Sequence, residues 1–147
     1  MLPENLMSLI RQGEGLTVEF KKSTTDITKD VYDTVCSFSN RDGGHIFLGV
    51  KDNGAILGID KERVEQMKKN FVTTINNESK IYPPLYLTPE EYEIDGRILL
   101  YIYVPVGKTV TAMLTGFLTV IMSRISISQI MRTWFLTFMP ANKAPIL

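Results

Sequence analysis

The 147 residues carry 44% hydrophobic and 22% charged side chains, the balance of a globular chain long enough to bury a core of its own. The formal net charge of zero hides an asymmetry, since residues 1–105 hold 12 basic against 16 acidic side chains and the four charges after Pro105 are all basic. That excludes a broadly basic surface for coating nucleic acid, and one cysteine with one histidine excludes an internal disulfide and a zinc site of ordinary spacing.

Residues 2–12 read as a helix: Pro3 suits a first turn, Leu2, Leu6, Leu9 and Ile10 form a stripe, and Gly13 ends it. Residues 17–21 alternate as a strand, with Val18 and Phe20 on one face and Glu19 and Lys21 on the other. A second helix is expected over 26–40, with Asp26 as its N-cap and Ile27, Val31, Val35 and Phe38 on its apolar face. Cys36 lies beside that stripe and reads as a small core residue, not a reactive thiol. Asn40 and the Gly43-Gly44 pair stop the helix. The apolar run 46–50 has strand length, Asp52-Asn53-Gly54 turns the chain, and 55–58 returns as its hairpin partner. Asp60 is placed to cap a third helix through Asn76, with Val64, Met67, Phe71 and Ile75 inward. Tyr82-Pro83-Pro84 gives an extended connection. Residues 85–94 and 97–104 read as strands about an Asp95-Gly96 turn, the second apolar enough to be central. The order predicts a single small α/β (α+β) domain over residues 1–105, with one mixed sheet of four to five strands and helices packed on it.

Residues 106–147 form an atypical apolar tail. Segment 109–138 has no acidic residue and no proline, and it mixes apolar residues with Thr and Ser without a period of 2 or 3.6. Its longest low-charge run, 109–123, is too short and too Thr-rich for a membrane span. Three readings stand: a strand pair or helix covering an apolar sheet edge, a membrane-associated end, and out-of-frame translation. Codon arithmetic favours the third. Back-translated from Thr109 in the shifted frame, one choice of codons gives a polar, amphipathic string, in which Trp134-Phe135 forces a Val and Met139-Pro140 an Ala. The N-terminus has no signal-peptide pattern, so a cytoplasmic protein outside the membrane is expected.

Glu14 lies just before the first strand, Glu19 on its polar face, and Asp52 at the exit of the 46–50 strand. If those strands are neighbours, three carboxylates meet at one edge. Such a cluster repels itself unless a cation neutralises it, and an oxygen-only set suits Mg²⁺ or Mn²⁺, which would activate water beside a phosphoryl oxygen. Three solvated surface acids are the alternative. Lys21, Lys22, Lys29, Arg41 and Lys51 surround the same stretch. They suit phosphate contacts that set position without reading sequence, or simply form a solvated face. The Gly43-Gly44 turn offers backbone N–H groups to a phosphate, or only stops a helix. Gly107-Lys108-Thr109 is no P-loop, because the required earlier glycine falls on Ile102. His45, a lone histidine at a strand start, reads as structural.

The run from Phe38 to Gly54, Phe-Ser-Asn-x-x-Gly-Gly-x-Ile-Phe-Leu-Gly-Val-x-Asp-x-Gly, resembles the Schlafen AlbA_2 family, and the resemblance spans residues 6–105. Glu14, the Glu19-Phe20-Lys21 triplet and Gly49-Val50-x-Asp52 match, residue for residue, the metal-dependent nuclease site of RNA-cleaving Schlafen proteins. The resemblance implies a nucleic-acid partner, DNA or RNA, and a role in transcriptional regulation, for which the residues offer Lys21, Lys22, Arg41, Gly43, Gly44 and Lys51 as contacts, with no cofactor assigned. It also admits a divalent-metal-dependent endoribonuclease, with Glu14, Glu19 and Asp52 as both metal ligands and catalytic groups and Mg²⁺ or Mn²⁺ as cofactor. A nucleotide-binding or protein-interaction module is a third implication. The family's divergent AAA, ATP-binding label finds no phosphate-binding loop here, and a homodimer is left open.

Overall fold

Patterns of period 2 and 3.6 become nine elements in the computed structural model of the chain, which describes residues 2–113. They are α1 (Pro3–Gln12), β1 (Val18–Lys21), α2 (Lys29–Ser39), β2 (Gly44–Leu48), α3 (Val64–Ile75), β3 (Ile81–Tyr82), β4 (Glu90–Ile94), β5 (Arg97–Val104) and β6 (Ala112–Met113). The main sheet has the order β1-β2-β5-β4, and β3 pairs separately with β6. β1 runs parallel to β2, and β5 is antiparallel to both β2 and β4. The expected mixed sheet with packed helices is therefore present, with four strands. Readings given to residues 114–147 lie outside the described residues.

Side-chain alternation sorts the core into two layers. Ile46, Leu48, Leu100, Ile102 and Val104 pack with Val31, Val35 and Phe38 of α2 and with Val64, Met67, Phe71 and Ile75 of α3. Val18, Phe20, Phe47, Leu99 and Tyr101 pack with Leu6 and Ile10 of α1. β2 and β5 are covered on both faces, which is why their sequences are almost continuously apolar rather than alternating.

Four expectations are corrected. The return strand 55–58 is reduced to a single bridge between Val50 and Ile56. The partners of β2 are β1 on one side and the eight-residue apolar β5 on the other. The turn after Val50 closes at Lys51, whose carbonyl accepts from Gly54 and whose N–H donates to Ala55, with only Gly54 in the left-handed region (φ +88°). α2 begins at Lys29 after an extended Thr28, because the proposed cap Asp26 is engaged by Arg63 at 2.6 Å. α3 begins at Val64, since 61–63 form turns that close on Asp60 O. The strand expected over 85–94 is limited to β4.

Beyond Pro105 the chain lies along the C-terminus of α2. Gly107 N–H donates to Ser39 O at 2.8 Å. Asn40 Nδ2 donates to Thr111 O at 2.8 Å and Asn40 Oδ1 accepts from Thr111 N–H at 2.7 Å. One side-chain amide thus satisfies both backbone groups of buried Thr111, as a neighbouring strand would.

Cys36 is fully buried on α2. Burial, then the charge of Asp33, pushes its thiol up to about 12. The thiolate is the reactive form, so a disulfide-exchange reagent is expected to label Cys36 only as fast as the domain opens. Labelling followed in rising urea should track unfolding. Rapid stoichiometric labelling in native buffer would contradict the burial.

Candidate functional site

The site begins with the free edge of β1. Thr17 O and Lys21 O accept from β2 and the turn after it, through His45, Gly49 and Val50 N–H. The groups of Val18 and Phe20 point the other way. Gly15 N–H donates to Val18 O at 3.0 Å, and Glu14 Oε1 accepts from Phe20 N–H at 2.9 Å. Residues 14 and 15 therefore close an edge that would otherwise template another strand.

Next to this edge, an open pocket of about 490 Å³ is lined by Glu14, Glu19, Lys21, Lys22, Asp30 and Asp52, among others. Lys21 Nζ lies 2.9 Å from Asp30 Oδ2 and 3.3 Å from Glu19 Oε1. Burial alone would lower the pKa of this ammonium, but its bonds to Asp30 and Glu19 outweigh that and raise it. The hydrogen bonds from Lys21, then from Thr28 Oγ1, hold the Asp30 carboxyl below its usual range against an opposing effect of burial. Asp30 also sits in the first turn of α2, where the helix dipole favours an anion. Asp30→Asn is expected to cost about 0.5–1 kcal/mol at neutral pH. Because the folded pKa of Asp30 is depressed, its contribution is complete above the unfolded value and is lost as pH falls through the folded one. Urea midpoints of the two proteins should therefore differ at pH 7 and converge near pH 2, and a gap independent of pH would refute the assignment.

Glu14, Glu19 and Asp52 line this one pocket, as their spacing suggests, but they do not close on a common point. Glu14 is engaged by Phe20 N–H and Glu19 by Lys21, and among the described residues no three His, Cys, Asp or Glu side chains gather to hold a metal ion. As placed, the donor set does not fit Mg²⁺ or Mn²⁺, which take about six oxygens in a close shell. The cation at Glu19 is the chain's own Lys21, which Asp30 shares. Asp30 and Thr28 belong to the site although no motif marked them. The available signal was an acid in the first turn of a helix that follows a lysine-ended strand.

The basic residues divide between two ends of the sheet. Lys22 and Lys51 are exposed just beyond the C-terminal ends of β1 and β2, and Lys29 is exposed at the start of α2. Arg41, Gly43 and Gly44 lie at the other end of β2. Lys21 is level with Leu48, four residues along the strand from Gly44, or roughly 13 Å. Gly43 and Gly44 do not offer a phosphate cradle. Both are buried, and Gly43 N–H already donates to Phe38 O at 2.8 Å. Their small size serves packing, for a Cβ on Gly44 would lie 2.4 Å from the Phe38 ring. His45 Nδ1 lies 2.7 Å from Tyr101 Oη.

Comparison with known proteins follows these contours. The family model described as Schlafen, AlbA_2 matches residues 14–128. An ATP-binding protein of Ureaplasma parvum serovar 3 is 35% identical over 71 residues, which are 46% of this chain and 20% of that protein. The chain thus spans a fifth of the length of that relative. Two solved structures share the fold, each with a TM-score of 0.53. One is the N-terminal domain of a Nitrosomonas europaea protein described as related to the ATP-dependent DNA helicase RecG, at 23% identity over 69% of this chain and 71% of that one. The other is the DIP2311 protein of Corynebacterium diphtheriae, at 14% identity over 76% of this chain and 26% of that one. No helix among the described residues is long and apolar enough to cross a membrane.

Proposed function

Because the chain belongs to the Schlafen AlbA_2 family, we propose that it is a nucleic-acid-binding domain of a cytoplasmic regulatory protein, holding phosphates through a few placed cations. The observation that carries this reading is the position of Lys22 and Lys51. They are exposed at the same end of the two parallel strands, and neither enters an ion pair among the described residues, whereas Lys21 beside them is neutralised by Glu19 and Asp30. Lys21 therefore positions the site, and its neighbours supply the available charge. Phosphate contacts of this kind fix orientation without reading bases. The ATP-binding name of the Ureaplasma relative draws no support from 107–109, whose Gly107 N–H is engaged by Ser39 O.

Binding to labelled single-stranded RNA, single-stranded DNA and duplex DNA across a salt series tests the reading. Each phosphate contact contributes about 0.7–0.9 to the slope of log affinity against log salt. The Lys22→Ala/Lys51→Ala double variant is therefore expected to bind more weakly, with a slope shallower by roughly 1.4–1.8. An unchanged slope would remove these lysines from the interface.

One observation favours a second reading, a divalent-metal-dependent endoribonuclease: Glu14, Glu19 and Asp52 do line one pocket. It requires Glu19 to leave Lys21. RNA incubated with Mn²⁺ or with EDTA, beside a Glu19→Gln variant, decides it. Cleavage that needs the ion and vanishes in the variant supports an enzyme, and intact RNA throughout discards it.

A further inference from the structure

The end of the sheet opposite the pocket carries an aromatic surface that the lysine pair leaves unused. The register places Val18, His45 and Tyr103 side by side across β1, β2 and β5 on the face that α1 covers elsewhere. At this end the cover is incomplete. Tyr103 is 50% exposed and His45 is half-buried. The rings are braced from beneath. The His45 and Tyr101 centroids are 5.8 Å apart and nearly parallel, His45 and Tyr103 are 5.5 Å apart, and Tyr101 rests on Phe47 at 5.2 Å. The 2.7 Å bond between Tyr101 Oη and His45 Nδ1 fixes the imidazole plane. A ring surface held in this way loses little side-chain freedom when something stacks on it.

The same end carries positive charge. Arg41 follows Asn40, whose side chain clasps Thr111, and Lys108 follows Gly107, which is bonded to Ser39. A Cβ on Gly43 would meet Val104 O and Val106 N, so both cations lie at the same end of the sheet as Tyr103, on the side of α2. Neither enters an ion pair among the described residues. A π-face with unpaired cations at the same end of the sheet fits a planar base attached to phosphate. In a duplex the faces of the bases are already stacked on each other, so only an unpaired base presents one.

We propose that Tyr103 and His45 form a stacking platform for an unpaired base of a single-stranded nucleic acid, with Arg41 and Lys108 meeting the adjoining phosphates. The proposal rests on the nucleic-acid reading and adds to it the strand state of the ligand and a second contact region.

The test uses the whole 147-residue chain and four probes: a single-stranded oligonucleotide, the same length with abasic sites in place of its bases, the matching duplex, and a single-stranded RNA. Stacking on an aromatic side chain is worth roughly 5- to 100-fold in affinity per base. Tyr103→Ala is expected to lose that much on the two single strands and almost nothing on the abasic one, while Tyr103→Phe stays within about twofold of the parent because it keeps the ring. If the alanine variant is poorly folded by circular dichroism, the comparison of parent and abasic strands on the unaltered protein still decides. Equal affinity for parent and abasic strands, or a duplex bound as tightly as the single strand, would overturn the stacking platform and leave phosphate binding standing. No binding to any probe would overturn both readings.

Discussion

Phe47→Ala is expected to lower the stability of the domain by about 3–5 kcal/mol, a large share of the roughly 5–15 kcal/mol that holds a domain folded. Phe47 is fully buried in the central strand β2. Its ring meets Phe20 edge-on at 5.9 Å and Tyr101 at 5.2 Å. Both neighbours sit on strands hydrogen-bonded to β2 on either side, so neither can slide into the space a missing ring would leave. α1 closes the same cluster through Leu6 and Ile10 and has no other core to join. The cost should therefore lie toward the upper part of the range for Phe-to-Ala changes, where the cavity persists. Urea unfolding is the measurement, with the midpoint falling while the m-value stays constant. A loss below about 1 kcal/mol would mean that α1 collapses onto the sheet, and that this layer is looser than its packing implies.

Gly43→Ala is expected to cost roughly 2–4 kcal/mol, from two separable causes. Gly43 has φ +75°, a left-handed conformation in which an L side chain costs about 1–2 kcal/mol. In addition, a Cβ there would lie 2.6 Å from Val104 O and 3.2 Å from Val106 N. Those are backbone atoms of the strand end and its exit, which cannot rotate aside as a side chain could. Gly96→Ala separates the two effects. Gly96 has φ +76° but nothing within 4 Å of its would-be Cβ, so it should show the conformational cost alone. The difference between the two midpoints measures how closely the α2–β2 turn approaches the end of β5. Equal losses would show that the approach is soft.

Much of this architecture was legible because it is local. The stripes Leu6/Ile10 and Val64/Met67/Phe71/Ile75 are the buried faces of α1 and α3. The continuous apolar run 98–104 lies within the central strand β5, and Asp95-Gly96 turns with both residues at positive φ. What was not legible depends on partners far away in sequence. The Asn53-Gly54 signal correctly marked a turn but said nothing about which strands would compete for β2. Asp26 looks like a helix cap until Arg63, 37 residues away, takes it. The candidate site divides the same way. Spacing along the strands brought Glu14, Glu19 and Asp52 to one pocket, but the ion pair from Lys21 to Asp30 joins a strand to the next helix and decides how the acids are neutralised. The glycine pair was marked as special for the right conformational reason, yet Gly43 N–H was already committed to Phe38 O and the space at Gly44 to the Phe38 ring.

The bond from Phe20 N–H to Glu14 bears on how relatives of this chain should be compared. A carboxylate at position 14 closes the outer edge of β1, and a lineage would keep it for folding alone, whether or not its members ever cut RNA. Asp52 is different: among the described residues it makes no hydrogen bond and no ion pair. Across descendants of a common ancestor, an acid at position 14 is therefore expected for sound folding and does not by itself mark an enzyme.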